Sequence, residues 1–161
     1  MGGDGTDALD SRAFRNALGC YATGVAVITA QSPAGVAAIT VNSFASVSLE
    51  PALVLWSLGD QSDAYDVFST ASAWGVTVLA AEDEVRARRF GQKGRACADA
   101  ADCEILGGAP VLKGGIAAFG CDTFERKRLG DHLLIVGEVR DFRSHEGAGL
   151  SFFRGAFGEA R

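Results

Sequence analysis

The runs VAVIT (25–29), VAAITV (36–41) and ALVLWSL (52–58) are short and rich in β-branched or aromatic residues, and only residues 30–35 and 42–51 separate them. Such runs bounded by turn residues read as strands. A parallel pair needs a crossover of about a dozen residues or more. Neither gap is that long, so consecutive strands here must return antiparallel. WGVTVL (74–79), GIAAFGCDTF (115–124) and HLLIVGEVRDF (132–142) add three more candidates, and ERKRLGD between the last two reads as a polar hairpin connection. The chain has 21 glycines in 161 residues, well above the usual share of about 7%. Tight corners of a closed sheet use such residues. The expected fold class is therefore mainly β, an antiparallel barrel with a few short flanking helices.

Three helices are expected. Ser11 can cap a first one, with Phe14, Leu18 and Tyr21 at helical spacing as a buried stripe and Gly24 ending the element. Ser62, with Asp63 and Asp66 behind it, suggests a cap and acidic first turn for residues 63–70. Glu82, Asp83 and Glu84 open a third, whose last turn carries Arg86, Arg88 and Arg89, so charge matches the helix dipole at both ends. The Gly/Ala-rich stretch 91–110 is weakly periodic and reads as a long excursion over the surface. Residues 1–10 read as a disordered leader and 11–161 as a single domain. Gly2 and Thr6 fit a loose myristoylation pattern, but Asp4 and Asp7 stand where basic residues would help an acyl chain hold a membrane.

Charge and composition exclude several functions. A net charge of −5 provides no basic stripe, so no nucleic acid is expected as partner. No apolar run reaches the ~20 residues that span a bilayer, so no membrane is expected either. Cys20, Cys97, Cys103 and Cys121 form no CxxC pair and have no histidine at zinc-ligand spacing. They read as reduced thiols of a cytoplasmic protein, since the N-terminus lacks the basic and apolar regions of a signal peptide.

The chemistry concentrates in ITVNSFASVS, residues 39–48, where five hydroxyl or amide side chains lie between Thr40 and Ser48 without one charge. The segment leaves one strand and turns toward the next at Pro51, so it lines a rim. Neutral donors and acceptors at fixed geometry suit a planar polar heterocycle. A polar turn closed by local Ser/Thr hydrogen bonds is the rival reading.

FRNALGCYATGVAVITA, ITVNSFASVSLEPALVL and GDHLLIVGEV, in that order, resemble the flavin reductase-like family, the small subunits of two-component flavin-dependent monooxygenases. The resemblance runs from about Phe14 to Phe157. It implies an antiparallel Greek-key split β-barrel, the FMN-binding split barrel, in a homodimer. It also implies an enzyme that uses NADH or NADPH to reduce FMN or FAD and passes the reduced flavin to a separate oxygenase. Carried across, Thr40, Val41, Asn42, Ser43, Ser46, Val47, Ser48 and Ser57 would surround the isoalloxazine and ribityl chain. Val41 replaces the family's usual Ala and Ala52 a usual Pro, changes of packing more than of chemistry.

For the flavin phosphate, the resemblance points to Ser62, with Arg88, Arg89 and Phe90 as second candidates. Ala64 stands where the family often has Thr, and Asp60 and Asp63 are close by, so an ordinary N-cap remains the rival reading for Ser62. Arginines closing a helix need no ligand to explain them. His132, in GDH, would by resemblance help seat the nicotinamide, while His145 reads as a solvated loop residue. Hydride passes directly between the two rings, so the protein has mainly to stack them and exclude water. ERKR (125–128) could meet a pyrophosphate, although an exposed hairpin tip accounts for it. Phe152, Phe153 and Phe157 resemble the family's aromatic C-terminal strand and would cover the nicotinamide pocket, the dimer seam or the core. The flavin-facing motif holds no Lys or Arg, so flavin is expected to exchange. The alternative function is a flavin-binding electron carrier on the same barrel, without nicotinamide oxidation. No metal is expected.

Overall fold

A computed structural model describes residues 9–94 and 97–161. Most of the expected leader, residues 1–8, lies outside the described residues, and Asp10 belongs to the fold. Its carboxylate accepts from the backbone N–H groups of Arg12 and Ala13 at 2.9 and 3.2 Å and so caps α1, Ser11–Leu18, one residue before the expected Ser11. The helix ends at Gly19 rather than Gly24. Its apolar stripe is not buried in the single chain: Phe14, Leu18 and Tyr21 are all exposed.

Thirteen strands follow among the described residues, every pairing antiparallel. They are β1 (Thr23–Gly24), β2 (Ala26–Ser32), β3 (Gly35–Val41), β4 (Ala45–Leu49), β5 (Ala52–Gly59), β6 (Ala73–Val78) and β7 (Cys97–Ala98), then β8 (Cys103–Leu106), β9 (Ala109–Leu112), β10 (Ala117–Leu129), β11 (His132–Ser144), β12 (Gly149–Phe153) and β13 (Ala156–Ala160). Eight form one sheet in the order β4-β5-β11-β10-β6-β2-β3-β7, and β1-β12-β13 make a second, smaller one. The antiparallel inference from the short gaps therefore holds.

β2 is buried on both faces, which is why VAVIT reads as a continuous apolar run instead of an alternating one. Ala26 and Ile28 join a core with Trp56, Trp74, Phe68 and Ile135, where the Trp56 and Phe68 rings meet edge to face at 5.2 Å. Val25 and Val27 join a second core on the opposite face, with Leu79, Ala87, Phe90 and Leu150. That second core is what α3, Glu84–Gly91, packs upon. The acidic start and basic end read for this helix are present, preceded by a 3₁₀ turn, Ala81–Asp83.

Three local expectations are corrected. The helix expected at 63–70 is one turn, α2, Tyr65–Phe68, and Ser62 lies before it in a turn where its hydroxyl accepts from Ala64 N–H at 3.3 Å. ERKR is not a hairpin tip. β10 runs through Leu129, which faces His132 across a two-residue turn, Gly130–Asp131, and the Arg126 guanidinium donates to the Ala71 carbonyl. Finally, 91–110 does not merely skim the surface. β8 and β9 form a hairpin whose second strand is fully buried, with Thr29 Oγ1 donating to the Pro110 carbonyl and Thr77 Oγ1 accepting from Leu112 N–H at 3.0 Å.

Candidate functional site

The end of β3 is where the second core opens to solvent. Alternation along this strand turns Ile39 and Val41 toward the barrel core and Thr40 toward α3, where Thr40 Oγ1 donates to the Ala87 carbonyl at 2.8 Å. That bond ties the strand to the last turns of the helix. Beside it lies a cleft of about 420 Å³. Its floor is Thr40, Val41 and Asn42, one side is Ala87 and Arg88 of α3, and Phe152 and Phe157 form the wall opposite. The two phenyl rings stand 5.3 Å apart, and the Arg88 guanidinium lies over Phe157 at 4.9 Å. The wall is held in place by β12 pairing with β1, which sets Phe152 opposite Thr23.

Two further clefts continue this one. Thr40 also borders a second, of about 290 Å³, with Ser62, Asp63, Phe90 and Lys93. Asn42 also borders a third, of about 620 Å³, with Ser43, Phe44, Thr23, Leu18 and Arg15. Through these shared residues the three run on from one another across the end of β3, and the central one is mostly apolar.

Of the residues singled out from sequence, Thr40, Val41, Asn42 and Arg88 line the central cleft, Ser62 and Phe90 the second, and Ser43 the third. Ser43 and Ser57 are joined: Ser43 Oγ accepts from Ser57 N–H at 3.0 Å, so Ser57 positions the loop after β3 through its backbone. Ser46, Val47 and Ser48 lie along β4, the sheet's edge strand, and line none of the three clefts. His132 opens β11, with Nδ1 at 2.8 Å from Asp131 Oδ1. A Cβ built on Gly59, which lines the second cleft, would sit 3.5 Å from His132 Nε2, so the half-exposed imidazole lies against that residue. The His132 hydrogen bond and Asp131's own backbone hold the Asp131 carboxyl below its usual range.

In the second cleft Asp63 accepts from Gly94 N–H at 2.6 Å, placing a carboxylate beside Ser62 and Lys93. Sequence reasoning did not anticipate Val25, Ala87 and Gln92 in the central cleft, nor Lys93 in the second. Val25 and Ala87 carry no local signal, because only the packing of α3 on β3 makes them neighbours. Among the described residues no group of three or more His, Cys, Asp or Glu could hold a metal, and no helix is long and apolar enough to cross a membrane.

The flavin reductase like domain matches residues 18–161. This chain belongs to the flavin reductase-like family. Agreement with an FMN reductase (NADH), SmoA, of Agrobacterium fabrum is 47% identity over 150 residues, covering 92% of this chain and 86% of that protein. The reductase component of a flavin-dependent trigonelline monooxygenase of Acinetobacter baylyi is 37% identical over 158 residues, 94% of this chain but only 50% of that longer protein. Among solved structures, the flavin reductase PheA2 superposes with a TM-score of 0.87 at 36% identity, covering 95% of this chain and 99% of that one. The mainly β, split-barrel architecture is thus that of the family's flavin reductases.

A flavin fits the family member described here on its own geometry. The central cleft falls within the ~300–1,000 Å³ typical of cofactor sites. Its aromatic wall suits a ring face, the neutral groups of Thr40 and Asn42 suit the ring's polar edge, and the adjoining clefts continue on both sides for a tail.

Proposed function

We propose that this chain is an NAD(P)H:flavin oxidoreductase that moves a hydride from a reduced nicotinamide to FMN or FAD and passes the reduced flavin to a separate oxygenase component. The observation that carries this reading is the central cleft: two phenyl rings face a strand end bearing only neutral polar groups, with one guanidinium at the edge. Bound together, the nicotinamide supplies a hydride at C4 and the flavin accepts it at N5. The residues of this chain position and desolvate. Phe152 and Phe157 cover the ring and exclude water, while Asn42 offers an amide donor and acceptor to its polar edge. Val41, braced against the barrel core, fixes the floor, and Ser43 holds the following loop through Ser57. His132, whose half-exposed ring lies against Gly59 of the second cleft, helps seat the incoming nicotinamide rather than moving a proton.

Flavin is an exchanging substrate in this reading. The 39–48 segment provides no cation. Protein that kept stoichiometric flavin through long dialysis would contradict that. The chain works as a homodimer, because Phe14 and Leu18 on α1, Tyr21 just beyond it and Leu49 on edge strand β4, 90% exposed, leave apolar surface and unpaired strand edge to cover; its described thiols, all free, suit a reducing cytoplasm.

Anaerobic mixing with NADH and excess FMN, followed through both absorbances and repeated with NADPH and FAD, tests the reading. Many flavins bleached per protein are expected. Flavin binding without bleaching would instead make this protein an electron carrier.

A further inference from the structure

The turn between β12 and β13 contains the chain's one described non-glycine residue at positive φ, Arg154 at +49°, followed by Gly155 at +81°. Two central residues at positive φ are the mark of a type I′ hairpin, which favours Asn-Gly, not Arg-Gly. A side chain is kept here against local preference. Arg154 N–H donates to the Gly19 carbonyl at 2.8 Å, so the hairpin tip is clamped to the end of α1, and Gly19 N–H in turn donates to Arg15. This brings Arg15 and Arg154 to a shared cleft of about 540 Å³, with Asn16, Cys20 and Phe152. Among the described residues neither arginine has a carboxylate partner; Arg154 lies over the Phe153 ring at 5.2 Å. A helix dipole accounts for a base in the last turn of α1. It does not account for a second base across the cleft at a left-handed backbone position.

Phe152 separates this cleft from the ring cleft and lines both, and Arg15 also borders the third cleft, which reaches Asn42. An anionic tail leaving the ring cleft past Phe152 therefore meets two guanidinium groups that, among the described residues, have no carboxylate partner. We propose that Arg15 and Arg154 form a phosphate-binding subsite for the tail of a nucleotide whose ring occupies the central cleft. The source is the diphosphate of the nicotinamide dinucleotide or the phosphate of the flavin, and the two are separable by experiment. This inference rests on the reductase reading for its assay, and on geometry alone for its binding test.

The test uses the full chain with Arg15→Gln, Arg154→Asn and the double variant. Asn suits the type I′ position, so Arg154→Asn removes the guanidinium while retaining or improving the turn. Steady-state KM for NADH at saturating flavin, and for FMN and FAD at saturating NADH, should separate the sources. In the double variant one of these KM values is expected to rise about tenfold, the size of losing charge-assisted hydrogen bonds to a phosphate, with kcat retained. A rise for NADH assigns the dinucleotide's diphosphate, and a rise for flavin assigns the flavin's phosphate. The affected KM should also lose its dependence on ionic strength. Calorimetric titration with ADP-ribose and with FMN reads the same subsite without turnover. Unchanged KM values together with unchanged binding of both probes would overturn the subsite and leave the reductase reading intact. A wild-type protein that binds a probe through these arginines but oxidises no nicotinamide would overturn only the reductase reading.

Discussion

Thr40 uses one hydroxyl to join the floor of the cleft to α3, through the Ala87 carbonyl. Thr40→Val keeps the shape and removes the donor, so a loss of about 1 kcal/mol in urea unfolding is expected, with a severalfold rise in flavin KM. His132→Asn keeps a polar group beside Gly59, and kcat/KM is expected to fall by no more than about tenfold, since no proton transfer is assigned to the imidazole. A thousandfold loss would make His132 a proton carrier. Cys121 responds to pH in the opposite sense to a paired carboxylate. Burial, reinforced by Asp122, pushes its thiol up to about 12. The folded state therefore holds this proton more tightly than the unfolded chain. Its contribution is intact below the ordinary thiol pKa near 9 and is lost as pH rises toward 12, at up to roughly 1.4 kcal/mol per pH unit. Cys121→Ala should flatten the alkaline limb of a stability–pH curve relative to wild type. At this scale the sequence was informative where chemistry was local. Thr40 and Asn42 stand out as neutral polar groups at a strand end, whereas Arg15 and Arg154 belong to no motif and become neighbours only because a hairpin tip docks on a helix end.

Among the elements, the β8–β9 hairpin shows how a close approach can be invisible in one dimension. A Cβ at Gly75 would lie 2.0 Å from the Pro110 carbonyl oxygen, so β9 can press onto β6 only because that position is glycine. Gly75→Ala is expected to cost more than about 2 kcal/mol, read as a lower urea midpoint, and to loosen the buried bonds from Thr29 and Thr77. Four residues, APVL, are too short a run to announce a buried strand, and their burial depends on a glycine more than thirty positions earlier. β10 was under-read for a different reason. Charged residues on a strand that extends beyond its core look like a loop until the register of its partner is known, and Arg126 reaches back to Ala71. The central strands were legible because their β-branched runs are buried on one or both faces, and α3 because its charges follow the dipole.

For the molecule as a whole, the open question from sequence was what covers its apolar stripes. Phe14, Leu18 and Tyr21 were read as buried, yet the single chain leaves them exposed. Composition specifies how much apolar surface exists but not whether another copy covers it. Light scattering at micromolar concentration is expected to give twice the chain mass, and replacing exposed Leu49 by Asp should weaken that dimer without lowering the stability of the monomer. The central cleft itself is assembled from distant parts of the chain. Its floor is complete at Asn42, but its wall waits for Phe152 and Phe157. On a ribosome, all eight strands of the large sheet emerge by Ser144, before the wall residues have been made. A nascent chain can thus hold a nearly finished barrel while having no place to grip a flavin, and ligand competence arrives only after the barrel's own strands have been made.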